Sequence, residues 1–382
     1  MRGENPYNCT KPGNLFVGYD RLRKELLNGF CNGNSYAILG GRRCGKTSLL
    51  LQIEKDTQSG DLAPFTPLPR FLDIQGLGQV TPASLFQALY NLVVKEIAVP
   101  PWVSGELGNE YQTFLAHLDS VSPLLTQRYG TDWLVILLID ELDATIATLP
   151  DDQFFQNLRN LLMISRFHRH FRLVASGVTQ MANLISSGSS PLNNLRNKHL
   201  SILTGKQARE LIRCGFPNGL GPEVEETLFR LTGRHPYLLQ GLLEKFWEIR
   251  ETEDELDVKA VKGAAREFLR EHRDFARWLD AFGPAEHAVY QLLSEAPGGA
   301  LSVREIRQRI NPALAFQTEE ALTILSYHGV IDDSDPDEPQ IAGTLFQVWY
   351  RENRPRSKLN EPPKSEPPAI HLFYSYSHKD ET

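Results

Sequence analysis

Short apolar runs separated by amphipathic stretches organise the first half of the chain. Residues 35–40, "SYAILG", read as a strand followed by a helix over residues 46–55. Residues 70–76, "RFLDIQG", read as a second strand, with a helix over residues 82–97. "WLVILLID", 133–140, is a third strand, with a helix over residues 152–168, and "FRLVASG", 171–177, is a fourth. The runs are nearly uninterrupted, as strands buried on both faces must be. Strands alternating with helices predict a parallel sheet covered on both sides.

Beyond residue 205 the apolar spacing changes to three and four, the period of a helix face. "GKQARELIRCGF", "GPEVEETLFRLTG" and "PYLLQGLLEKFWEIRE" carry it, and "DELDVKAVKGAAREFLREH" continues it. A third stretch holds three helix candidates, "PAEHAVYQLLSEA", "SVREIRQRI" and "QTEEALTILSYHG". A hairpin-like "VIDDSDPDEPQIAG" follows them. Three helices and a hairpin are the layout of a winged helix. The expected fold class is an α/β P-loop NTPase, a parallel sheet flanked by helices, followed by a helical lid domain and a winged-helix domain. The boundaries read 1–204 for the NTPase domain with its N-terminal nucleotide-binding segment, 205–273 for the lid and 274–354 for the winged helix. Residues 355–369 are rich in proline, lysine and glutamate and read as an extended linker. Apolar character returns at 370–382.

Composition narrows the class. A length of 382 residues is too great for one core, and the net charge of −7 provides no general attraction to nucleic acid. Cys9, Cys31, Cys44 and Cys214 lack metal-ligand spacing and read as reduced thiols. No run approaches the roughly 18 apolar residues of a membrane span, and the polar N-terminus lacks the apolar core of a signal peptide. A cytoplasmic protein with no membrane partner is expected.

The chemistry concentrates in "GGRRCGKTS", residues 40–48. It fits G-x-x-x-x-G-K-[ST] through Gly40, Gly45, Lys46 and Thr47, between a strand and a helix. The nucleotide-binding loop comprises Gly40, Gly41, Arg42, Arg43, Cys44, Gly45, Lys46, Thr47 and Ser48. Its glycines let backbone N–H groups turn toward phosphates, and the helix that starts there adds its positive end. Lys46 is expected on the β- and γ-phosphates, and the Thr47 hydroxyl on Mg²⁺. The third strand ends in Asp140 and Glu141. Asp140 would hold the same Mg²⁺, directly or through water, and Glu141 would position or deprotonate the attacking water. Asp143 reads as a helix cap or surface acid. Ser176 reads either as a γ-phosphate sensor at the end of the fourth strand or as a helix-capping serine. Arg196 is a candidate arginine finger, with a surface or lid residue as the alternative.

With "LFVGYD" ahead of the loop, "LLIDELD" and "LTGRHPYLLQGL" after it, the chain resembles the STAND class of signal-transducing P-loop ATPases. Within that class it is similar to the archaeal-type AAA-like ATPases. The resemblance spans roughly residues 5–350. It implies ATP or ADP as the ligand, Pro236 against the adenine and His235 close to the phosphates. It further implies that Phe16, Val17 and Gly18 line the base pocket and that the winged helix clamps bound ADP. Tyr19 departs from the arginine usual after this glycine. "HLFYSYSHKDET" resembles the opening of a TIR domain, whose catalytic acid would lie beyond Thr382, so this chain is not expected to cleave NAD. The function implied is a nucleotide-controlled switch with slow hydrolysis. An unknown trigger, phage-derived in an anti-phage setting, opens it; opened copies self-oligomerise and gather their TIR effectors. The alternative is a DNA-associated winged-helix ATPase. Two glutamates in "NPALAFQTEEALTILSYHG", with no lysine or arginine, and the acidic "DDSDPDE" oppose DNA as a partner.

Overall fold

The computed structural model describes residues 4–9, 11, 15–60, 62–105, 110–186, 188–249, 257–271 and 274–354. The expected linker and the TIR-like segment lie outside the described residues.

The first part runs α1 (Asp20–Cys31), β1 (Tyr36–Leu39), α2 (Lys46–Ser59), β2 (Thr66–Asp73), α3 (Pro82–Val93), α4 (Glu110–Tyr129), β3 (Trp133–Asp140), α5 (Gln153–Met163), β4 (Phe171–Gly177), α6 (Thr179–Asn183) and β5 (Arg196–His199). The strands form one parallel sheet in the order β2-β3-β4-β1-β5. All eight residues of β3 are buried, because strand alternation gives each face its own helices. Leu134, Ile136 and Leu138 pack in a cluster with Leu26 of α1 and Leu49 and Ile53 of α2. Val135, Leu137 and Ile139 join Phe86 of α3, Phe114 of α4 and Phe155 of α5 on the other side.

Three strands fall within a residue of their sequence reading. The strand expected at 70–76 instead starts at Thr66 and passes through Pro67 and Pro69. It lies at the sheet edge, where an outer row of N–H groups has no partner and proline is tolerated. The other edge, β5, has exposed or half-exposed side chains throughout. It therefore carries no apolar signal, and sequence reading passed over it. α4 was also missed; Pro123, a residue that argues against a helix in sequence, lies inside it, although Phe114, Leu118, Val121 and Leu125 are buried.

The second part continues with α7 (Gly205–Gly215), α8 (Pro222–Thr232), α9 (Pro236–Ile249), α10 (Val258–Glu271), α11 (Asp274–Leu279), α12 (Pro284–Glu295), α13 (Val303–Arg309) and α14 (Thr318–Tyr327). The antiparallel pair β6 (Ile331–Asp332) and β7 (Gln340–Ile341) and then α15 (Thr344–Asn353) close it. Thr204 and Ser302 start α7 and α13 through reciprocal capping boxes with Gln207 and Glu305. One apolar cluster runs through both expected C-terminal units, from Ile212 and Phe246 to Trp278, Tyr290 and Phe346. Tyr7 belongs to it as well. Its hydroxyl donates to Ile212 O (2.6 Å) and accepts from Gly215 N (2.9 Å), so the first described residues pack on the helical part, not on the sheet. No helix among the described residues is long and apolar enough to cross a membrane.

Candidate functional site

Strand order decides which residues can meet. β4 lies between β1 and β3, so the turn after β1 and the acids after β3 face each other across the end of β4. Carboxyl ends of parallel strands are where such sheets place ligands.

The turn after β1 is a tight loop entering α2. Gly45 takes φ 93° at the N-cap of α2, a left-handed conformation that favours glycine. Gly41 is needed for a different reason. A Cβ there would come within 2.6 Å of the Cα of His328. Lys46 is buried, and its Nζ donates to Gly40 O and Gly41 O, both at 2.8 Å. Burial lowers its pKa, opposed by Asp140, Asp143 and Glu141. Arg42 and Arg43 are exposed, and the Arg43 guanidinium lies 5.3 Å from the Tyr237 ring centroid.

Opposite, Asp140 is buried and fully engaged. Its Oδ2 accepts from Thr47 Oγ1 at 2.5 Å, and its Oδ1 accepts from Ser176 Oγ. Ser176 accepts in turn from Glu141 N at 3.1 Å. It lies completely buried beneath the acids, outside the cleft lining and capping no helix. Glu141 takes a left-handed backbone (φ 55°), and its carboxylate accepts from the Gln75 amide. Burial, reinforced by the Asp140 charge, raises its pKa, which makes it a better proton acceptor. Asp143 is not a surface acid: it is buried, and its Oδ2 accepts from Val178 N at 2.6 Å, fixing the turn into α6.

Between these walls opens a cleft of about 360 Å³. Arg42 to Ser48, Glu141, Phe16, Val17 and Pro236 line it. Gly18 does not; a Cβ there would meet the Gln207 side chain at 2.7 Å. His235 is fully buried behind the loop, with Nε2 3.6 Å from Cys44 Sγ, and does not reach the cleft. Arg196 starts the exposed edge strand β5 and does not line the cleft either. Sequence reading overlooked Gln75, Tyr237, Gln240 and Arg277, all of which line it. Tyr237 adjoins Pro236 and could have been read with it. Gln240 stands in the same "LTGRHPYLLQGL" stretch, where no role was assigned to it; Gln75 and Arg277 belong to no motif, and only folding brings them in.

Thr47 and Asp140 present two hard oxygen donors 2.5 Å apart beside the loop. That donor set suits Mg²⁺, which is held by one or two protein oxygens plus phosphates and water.

The back of the loop is covered by the C-terminal part. Gly41 N donates to Tyr327 O at 2.6 Å, and Cys44 Sγ donates to the same carbonyl at 3.2 Å. The Tyr327 ring stacks on His199 of β5, with centroids 4.6 Å apart. Burial, with Lys46 and Arg42 nearby, lowers the His328 pKa to about 4; burial lowers that of His235 to about 3.

Solved structures share this fold. The Walker-type ATPase of Pyrococcus abyssi is 15% identical over 89% of this chain and 98% of its own, with a TM-score of 0.57. The ORC2 protein of Aeropyrum pernix, solved in ADPNP–ADP complexes, is 13% identical over 87% of this chain and 91% of its own, with a TM-score of 0.55. No protein-family model matches the chain, and neither does any curated protein. The fold is the P-loop ATPase fold.

Proposed function

We propose that this chain is an ATP- and ADP-binding switch with slow turnover, in which the bound nucleotide decides whether the C-terminal helices stay docked on the phosphate loop. The observation that carries this reading is the backbone bond from Gly41 N to Tyr327 O. It joins the loop that would hold phosphate to the helix that precedes the hairpin. A movement of either one is felt by the other.

The residues divide the work. The loop amides and Lys46 bind phosphate, with Nζ exchanging the Gly40 and Gly41 carbonyls for phosphate oxygens. Thr47 and Asp140 would hold Mg²⁺, which when bound neutralises phosphate charge. Glu141 orients and deprotonates the attacking water once its carboxylate leaves Gln75. The Gln75 contact supports slow turnover, since it occupies the base.

The reading extends to the setting expected from sequence. Opened copies would self-associate and gather an attached TIR effector in the cytoplasm, after a trigger of anti-phage type. Asp333, Asp335, Asp337 and Glu338 are exposed around the hairpin turn and would repel a phosphodiester backbone, which favours a clamp within the chain over a DNA reader.

The test is the nucleotide released when the purified protein is denatured. Near-stoichiometric ADP is expected. An empty site that turns over ATP rapidly would overturn the switch and leave an ordinary ATPase.

A further inference from the structure

α9 begins against the phosphate loop, where His235 meets Cys44 and Tyr237 meets Arg43. At about 1.5 Å per residue, Gln240 lies roughly 6 Å further along the axis, still in the cleft lining. There it meets the N-terminal segment: Gln240 Nε2 donates to Asn8 O at 3.1 Å. Asn5 and Cys9 bind Glu244 one turn on, which fixes the segment along α9.

This contact settles which way the amide points. A backbone carbonyl can only accept, so the Gln240 nitrogen must face Asn8 and the oxygen must face elsewhere. Gln240 Oε1 accepts no hydrogen bond among the described residues. Leu15, Val17, Leu203 and Leu211 also line the cleft. They supply the apolar surface that a planar base needs, and Gln240 supplies one oriented acceptor.

We propose that Gln240 is the specificity-determining residue of the cleft and reads the exocyclic 6-amino group of adenine through Oε1. The inference rests on the nucleotide-binding reading above and adds the chemical ground for adenine. At the same position guanine and hypoxanthine carry a carbonyl oxygen. Two acceptors would then face each other without a proton between them, and a buried acceptor left unpaired costs roughly tenfold or more in affinity. Asn8, through its backbone carbonyl, is the positioning group.

The experiment compares dissociation constants of ATP, ITP and purine riboside triphosphate, which has hydrogen at position 6. Wild type, Gln240→Leu and Gln240→Met are measured by calorimetry. Wild type is expected to prefer ATP over both analogues by about tenfold or more. In both variants the constants should converge: ATP weakens as its 6-amino group loses its acceptor, and purine riboside triphosphate tightens because no unpaired acceptor then faces it, the phosphate contacts being untouched. Variants that bind all three and keep the wild-type preference for ATP overturn the assignment. A wild type that binds ATP and purine riboside triphosphate alike overturns it alone. A wild type that binds no triphosphate overturns the nucleotide reading and this assignment with it.

Discussion

The two sides of the phosphate loop treat their polar groups in opposite ways. On the cleft side every catalytic candidate is engaged: Lys46 with Gly40 and Gly41, Thr47 and Ser176 with Asp140, Glu141 with Ser176 and Gln75. On the docking side, His235 Nδ1, both ring nitrogens of His328 and the Trp278 indole nitrogen are buried without a hydrogen-bond partner among the described residues. His235 and Trp278 are in ring contact, with centroids 4.9 Å apart. A buried polar group left unpaired costs about 1–3 kcal/mol. The cleft side is therefore set for one chemistry, whereas the docking side is held together against a standing cost.

The comparison breaks first at its catalytic wall. Glu141→Gln should lower ATP turnover by about 10²- to 10⁴-fold, the usual contribution of a general base, and leave ATP affinity near wild type. Wild-type turnover in single-cycle assays would remove Glu141 from the mechanism. Lys46→Ala should weaken ATP binding by roughly ten- to a hundredfold, as expected for lost hydrogen bonds from a charged group. Unchanged affinity by calorimetry would show that phosphate sits elsewhere.

Acidity sharpens the other side. Burial keeps His235 and His328 neutral, with pKa values of about 3 and about 4 against the ordinary 6.5. Below pH 6.5 the undocked or unfolded chain takes up protons first. The stability contributed by the neutral rings is fully present above that pH and is lost as the pH falls toward 4. The slope is about 1.4 kcal/mol per pH unit for each ring. His328→Phe should reduce the dependence of Tm on pH between 7.5 and 4.5, leaving His235 and the His199 ring stacked on Tyr327, whose pKa burial also lowers, to titrate in the seam. Parallel curves for the two proteins would mean that the seam does not feel the proton. The smallest expected effect is at Arg234, whose guanidinium bridges to Asp332 of the hairpin at 2.9 Å. Arg234→Gln should cost about 1 kcal/mol or less, read as a Tm lower by a few degrees; no change would leave that bridge without a part in holding the hairpin to the helices before it.

The same contrast separates what could be read from the sequence from what could not. β1, β3 and β4 are central and apolar, and a strand buried on both faces has to announce itself in composition. β5, with "RNKH", and the proline-bearing start of β2 are edges, where one flank is free and composition is unconstrained. The loop glycines, Lys46, Thr47, Asp140 and Glu141 were legible because phosphate chemistry demands those residue types at close spacing. Ser176 was legible as a polar strand end, but not as the group that links Asp140 to Glu141, which depends on β4 separating β1 from β3. His235 was placed near the phosphates by resemblance. In the fold its ring turns behind the loop, where the turn after α14 fills the remaining space, with Gly329 against it.

By itself, then, the sequence determined a parallel sheet, a phosphate loop, the acids that face it and the order of the helices that follow. These features are local: a few neighbouring residues fix each one through periodicity, backbone freedom or charge. Tertiary structure alone decided that Gln75 holds Glu141, that Gln240 lines the cleft and donates to Asn8, and that Tyr327 closes on Gly41. Each of those joins residues distant along the chain, and their meeting is set by strand order and by the packing of the shared helical core, which no short stretch of sequence contains.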